Sequence, residues 1–220
     1  MILELNGYSL SEKIKHTPFS VLYKARKMND HYDPGKLTYL IKKYSSDVNP
    51  EVIENELNVS QTIEETCPKS VIVPILEKFV YDNQVYVVLQ FRKNGLFLNQ
   101  IIEYLEKQYG EGQIPLKIII EITCKILASL EVLHQYVYED KTMGFLHLDI
   151  NPGNIFFESA DVAANEWGTV KFIDFGSCAN SEDYVNILKN RHWFCVTDRY
   201  SAPEMLEQIY PHISKSTDVY

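Results

Sequence analysis

Residues 147–157 read HLDINPGNIFF and place Asp149 and Asn154 five residues apart, around the turn-forming pair Pro152-Gly153. A carboxylate and an amide oxygen presented from one loop can take a proton and hold a metal cation. Downstream, KFIDFGSC runs an apolar strand into Asp174, and Gly176 lets the chain turn away behind it, which also suits a divalent cation. Upstream, YLIKKY puts Lys42 on a strand, and the segment after Asn49 sets Ile53, Glu56, Leu57, Ser60 and Ile63 on one helical face. Glu56 is then a charge on a largely apolar surface and needs a partner. Singly, each feature has a plainer explanation: an Asx-rich surface turn, an exposed strand lysine, a solvated helical glutamate. The rest of the chain has to decide.

The elements that must position these residues follow from period and punctuation. FSVLYKAR, LTYLIKKY and NQVYVVLQF are rich in β-branched and aromatic residues and are predicted as strands, with a hairpin turn at DNQ. Asn49 is a good N-cap, with Pro50 at the first helical position and Glu51 behind it, so a helix starts there. After RKNG, residues 92–95, the character changes to long helical segments. In PLKIIIEITCKILASLEVLH, Ile119, Ile122, Ile126, Leu130 and Leu133 recur at three and four, predicting a helix with that face in a core. Lys117, Glu121 and Lys125 interrupt the segment and exclude a membrane span. The expectation is a strand-rich lobe over 1–91 and a helix-rich lobe over 92–220, joined near Gln90 to Asn94.

Bulk composition narrows the class. The 220 residues, 45% hydrophobic, suffice for one large domain or two small lobes. A formal net charge of -9, from 21 Lys+Arg against 30 Asp+Glu, argues against nucleic acid or an anionic membrane surface as partner. Cys67, Cys124, Cys178 and Cys195 are widely spaced without a C-x-x-C pair, which suits free thiols in a reducing compartment rather than a zinc site or disulfide framework. The start, MILELNGYSL, lacks a signal-peptide pattern, so a cytoplasmic placement is expected.

With SAPE at 201–204 and STDVY at the end, the ordered set of Lys42, Glu56, Asp149, Asn154 and Asp174 resembles the eukaryotic-like (Hanks-type) serine/threonine protein kinases, from Tyr8 to the last residue. The resemblance implies an α+β, bilobal protein-kinase-like fold: a β-rich N-lobe with one helix, and a mainly helical C-lobe. It also implies ATP and Mg²⁺ as cofactors and a protein hydroxyl as acceptor. Lys42, oriented by Glu56, would hold the α and β phosphates. Asp149 would accept or orient the proton of the substrate hydroxyl, and Asn154 and Asp174 would hold Mg²⁺ against the β and γ phosphates. Adenine would lie in a slot lined by Ile14, between Leu22 and Leu40 above and Phe156 below. Leu89 would guard the pocket behind it, and backbone groups of Gln90 and Arg92 would meet its edge. The same resemblance packs His147 under Phe175, sets Thr197 beside Asp149, and makes Asp218 a brace for the loop backbone.

The chain departs from that family pattern at several positions. KHTPFSVL stands where a glycine-rich loop is normal, with Lys15, Thr17 and Ser20 at the glycine positions and Pro18 stiffening the loop. Lys15 or Thr17 is left as a substitute phosphate donor. Leu40 replaces a small Ala and Phe156 a Leu; the expectation is a slightly wider cleft with weak, Mg²⁺-dependent ATP binding. Leu148 replaces the Arg that reads activation-loop phosphate, and Asn151 the Lys that steadies the γ phosphate. Because the chain stops at Tyr220, the resemblance implies a C-terminally truncated lobe without an Arg partner for Glu204. Two alternatives stand beside a kinase. One is a pseudokinase-like regulatory or scaffold module. The other is a small-molecule phosphotransferase of the aminoglycoside or choline kinase type, whose H-x-D-x-x-P-x-N loop is similar to HLDINPGN; SAPE and STDVY argue against it.

Overall fold

The structure, a computed structural model, describes residues 3–28, 38–91, 95–180, 197–207, 209 and 212–220. Its first part is an antiparallel sheet of β1 (Leu3–Leu5), β2 (Tyr8–His16), β3 (Ser20–Lys27), β4 (Thr38–Tyr44), β5 (Ile75–Tyr81) and β6 (Gln84–Phe91), in the order β1-β2-β3-β4-β6-β5. Asp82 and Asn83 form the predicted hairpin turn, with φ of 48° and 57°, the left-handed geometry that matches strand twist in a two-residue hairpin. Helix α1 (Pro50–Thr66) starts where expected: Asn49 Oδ1 accepts the Glu51 N–H, and Pro50 opens the helix. It buries Val52, Ile53, Glu56, Val59, Ser60 and Ile63.

The second part is built on α2 (Leu98–Tyr109) and α3 (Leu116–His134). On α3 the inward face is Ile118, Ile122, Leu130 and Leu133, whereas Ile119 is 45% exposed, contrary to the expectation from spacing. Three consecutive isoleucines, Ile118 to Ile120, give two overlapping periodic faces, and only packing selects one. A hairpin of β8 (Tyr136–Tyr138) and β9 (Lys141–Met143), not foreseen, follows α3. Short strands then frame the chemistry: β10 (Phe145–Leu146) and β11 (Ile155–Glu158) bracket the 147–154 loop, and β12 (Thr169–Phe172) leads to Asp174. β11 is held between β12 and β7 (Leu96–Phe97), and β10 pairs with β13 (Ala179–Asn180). Helix α4 is the short Pro203–Leu206.

One buried cluster spans both parts, taking Leu22, Leu40 and Leu89 from the sheet and Phe97, Phe156 and Ile173 from the second part. Each such side chain stabilises the fold by about 1.5–3 kcal/mol. No helix among the described residues is long and apolar enough to cross a membrane. Among the described residues Cys67, Cys124 and Cys178 form no disulfide, and Cys195 lies outside them.

Candidate active site

Lys42 projects from β4 toward α1. Its Nζ donates to Glu56 Oε2 at 2.6 Å and to Asp174 Oδ1 at 2.7 Å, which brings the predicted lysine–glutamate pair together and adds the Asp. Lys42 and Glu56 are 6% and 1% exposed, so the pair is worth having only because each charge is compensated on the spot. Burial opposes the Lys42 charge, yet Asp174 and Glu56 outweigh it and hold the ammonium's pKa well above its ordinary value. Burial would likewise raise Asp174, but Lys42 and Lys15 outweigh it and hold the carboxyl at about 2. Burial pushes the Glu56 carboxyl up against the pull of Lys42. A group that sequence reasoning missed, Tyr44, donates its hydroxyl to Glu56 Oε2 and lies under the Lys42 ammonium, 4.7 Å from ring centroid to Nζ. The signal was available: Tyr44 is two residues beyond Lys42 on the same strand face.

Asp174 itself sits in the left-handed region, φ 73° and ψ 64°, ahead of a 3-10 turn over Phe175–Ser177. Such strain survives only where the surroundings over-determine it. Asn55 supplies that restraint from α1: its Nδ2 donates to the carbonyls of Phe175, Gly176 and Cys178 at 3.1, 2.9 and 3.1 Å. Gly176 is required by closeness, since a Cβ there would come within 2.7 Å of Val52 Cγ1 on α1.

The 147–154 loop is fixed from below. Asp218 accepts the N–H groups of His147 and Leu148, both at 2.7 Å, and a bond from His134 Nε2 at 2.8 Å, so it braces the loop backbone as the resemblance implied. Leu148, held at φ 63°, needs that brace. His147 is fully buried, its ring 5.0 Å from that of Phe175, with Nε2 donating to the Ile173 carbonyl and Nδ1 accepting the Asp149 N–H. The Asp149 carboxylate accepts the Thr197 N–H at 2.9 Å through Oδ1 and Asn154 Nδ2 at 2.8 Å through Oδ2. Burial and then the Asp174 charge push its pKa up. Asn151 bonds the Asp149 carbonyl and Thr197 Oγ1 and so ties the loop to Thr197. Glu204, for which no Arg partner was expected, accepts the Thr217 hydroxyl at 2.6 Å.

The loop lacking glycines covers this polar end. Thr17 Oγ1 accepts the N–H groups of Phe19 and Ser20, and the Thr17 N–H goes to the Ser20 carbonyl. Lys15 reaches across to the other part of the chain, donating to Asn154 Oδ1 at 2.6 Å. Burial lowers its pKa, against the pull of Asp174 and Asp149. Two register irregularities in β2, between Leu10 and Lys15, leave Lys15 opposite Leu22. A cavity of about 450 Å³ lies here, lined by Lys15, Thr17, Lys42, Asp149, Asp174 and Thr197 among others.

At the adenine end the expectation of a wider cleft is overturned. Leu22, Leu40, Leu89 and Phe156 are 4%, 0%, 2% and 1% exposed and pack as one cluster, with Ile14 against it. The added carbons of Leu40 and Phe156 fill the slot. The Phe156 ring leans on Phe91 and Phe97 and covers Gly95, where a Cβ would lie 1.8 Å from Phe156 Cζ. The Gln90 N–H is taken by the Pro74 carbonyl at 2.9 Å, so an adenine contact there rests on its carbonyl. Arg92 lies outside the described residues.

An amide oxygen and a carboxylate, from Asn154 and Asp174, are hard donors of the kind Mg²⁺ prefers. The Asn154 oxygen already accepts the Lys15 ammonium and Asp174 Oδ1 the Lys42 ammonium. The pair as arranged fits a single cation held through Asp174, not one shared with Asn154. No group of three or more His, Cys, Asp or Glu side chains among the described residues is placed to hold a metal.

Comparison with known proteins agrees with this geometry. The model of the protein kinase domain family matches residues 9–220, and the chain belongs to that family. It is similar to a probable myosin light chain kinase of Dictyostelium discoideum, 26% identical over 218 residues, covering 97% of this chain and 38% of that protein. It is also similar to ribosomal protein S6 kinase beta of Caenorhabditis elegans, 26% identical over 160 residues (70% and 25%), and to serine/threonine-protein kinase 10 of Danio rerio, 28% over 142 residues (64% and 12%). The chain thus spans less than two fifths of these relatives' lengths.

Proposed function

We propose that the chain transfers the γ-phosphate of ATP to a serine or threonine hydroxyl of a protein substrate, with 1–91 and 92–220 as its two lobes. The observation that carries this is Lys42, held between Glu56 and Asp174 and facing a cleft that also contains Asp149. An ammonium anchored on both sides is pre-aimed and needs no reorganisation when phosphate arrives. Asp149, oriented by Thr197 and Asn154, is the group that would receive the hydroxyl proton. A divalent cation at Asp174 would draw charge from the phosphates during transfer. The acidic balance and widely spaced cysteines favour a cytoplasmic protein substrate over nucleic acid.

The test is γ-phosphate incorporation into a generic protein substrate. Asp149→Asn is expected to lower it by about 100-fold or more. Equal incorporation by both proteins would refute the assignment. A second reading, a regulatory module without turnover, is favoured by the filled adenine slot. It becomes the better account if the unaltered chain gives no incorporation above the Asp149→Asn background.

A further inference from the structure

We propose that Lys15 is a built-in cation for polyphosphate in this cleft, occupying the position at Asn154 and making phosphate binding independent of a divalent ion there. The proposal rests on reading the cleft as a phosphate site and adds how phosphate is recognised. Three observations carry it. First, the loop has no backbone donors to give between Thr17 and Ser20: the N–H groups of Thr17, Phe19 and Ser20 are bonded within the loop, and Pro18 has none. Recognition by amides, which glycine-rich loops provide, is therefore closed to it.

Second, the one cationic side chain this loop sends into the cleft reaches its floor. Lys15 Nζ lies 2.6 Å from Asn154 Oδ1, and both Nδ2 hydrogens of Asn154 go to Asp149, at the carbonyl and at Oδ2. The orientation of the amide is thus set by three bonds, and its oxygen faces a positive charge. A metal ion at that oxygen would have to displace the ammonium. Third, Gly153 leaves the room: a Cβ there would stand 3.2 Å from Lys15 Nζ. The cavity also holds the Asp149 and Asp174 carboxylates, and Lys42 is already paired with Glu56 and Asp174, so Lys15, whose Nζ bonds a neutral amide, is the ammonium best placed to pair with an added anion.

Inorganic tripolyphosphate, which has no base and so avoids the filled slot, is the probe. Titrated calorimetrically into the full chain with EDTA present, it is expected to bind. Lys15→Met should weaken that binding by about tenfold or more, the worth of one charge-assisted bond. Lys15→Arg, which keeps a cation, should retain it. Without phosphate, electron paramagnetic resonance should detect tighter Mn²⁺ binding to Lys15→Met, where Asn154 can join Asp174, than to the unaltered chain, where Lys15 occupies the Asn154 oxygen. Binding that needs Mg²⁺ and is indifferent to Lys15→Met overturns the proposal. So does equal Mn²⁺ binding by both proteins, or no tripolyphosphate binding by the folded chain in either medium. Tripolyphosphate binding that depends on Lys15, together with no transfer from ATP, would refute the kinase activity and leave Lys15 as the phosphate's cation.

Discussion

The two ends of one cleft are built on opposite principles. At the phosphate end, Lys42, Glu56, Tyr44 and Asp174 are buried but joined by charge-assisted bonds, and Lys15 closes over Asn154. At the adenine end, Leu22, Leu40, Leu89 and Phe156 exclude water by packing alone. Directional bonds fix positions and leave a cavity of about 450 Å³, whereas non-directional packing closes whatever space it can. The contrast teaches that retaining Lys42, Glu56, Asp149 and Asp174 does not preserve the pocket beside them.

The most damaging way to break the polar end is Lys42→Met, which strands Glu56 and Asp174 without their counter-charge. Urea unfolding should show a loss of about 4 kcal/mol. Leu40→Ala breaks the apolar end instead, by about 3 kcal/mol, because it leaves a cavity in a closed cluster. The two should differ in their response to ATP: a nucleotide can refill the Leu40→Ala cavity and restore stability, and cannot replace Lys42. A smaller effect, about 1–2 kcal/mol, is expected for Asn55→Ala, which removes the donor shared by three carbonyls behind Asp174. A change confined to thermal stability, with ATP binding untouched, would show that Asn55 does not position Asp174.

The contrast also explains what could be read in advance. Lys42, Glu56, Asp149, Asn154 and Asp174 stand in a fixed order on elements with strong local signals, such as the Asn49-Pro50 helix start, and their types announce chemistry. Asp218 in STDVY was legible only through the resemblance to the kinases, which implies its brace for the loop backbone. Tyr44 and Asn55 were not, because a tyrosine on a strand and an asparagine on a helix are ordinary until the partner across space is known. Lys15 was legible as a donor but not as the partner of Asn154: the register irregularities of β2 set its place opposite Leu22, and no residue type encodes them. The filled slot was misjudged because Leu40 and Phe156 state only added volume. Whether the lobes part or the side chains pack is decided by the surrounding cluster, where Phe91 and Phe97 receive the Phe156 ring.

The central claim, a working phosphate end beside a filled adenine end, is tested most directly by comparing ATP with tripolyphosphate in calorimetric titrations of the same protein. The account predicts that the unaltered chain binds the two within about threefold of each other, since base burial and displaced side-chain packing offset one another. It predicts that Leu40→Ala combined with Phe156→Leu tightens ATP by about tenfold or more while leaving tripolyphosphate unchanged. A strong preference of the unaltered chain for ATP, unaffected by the two substitutions, would contradict it.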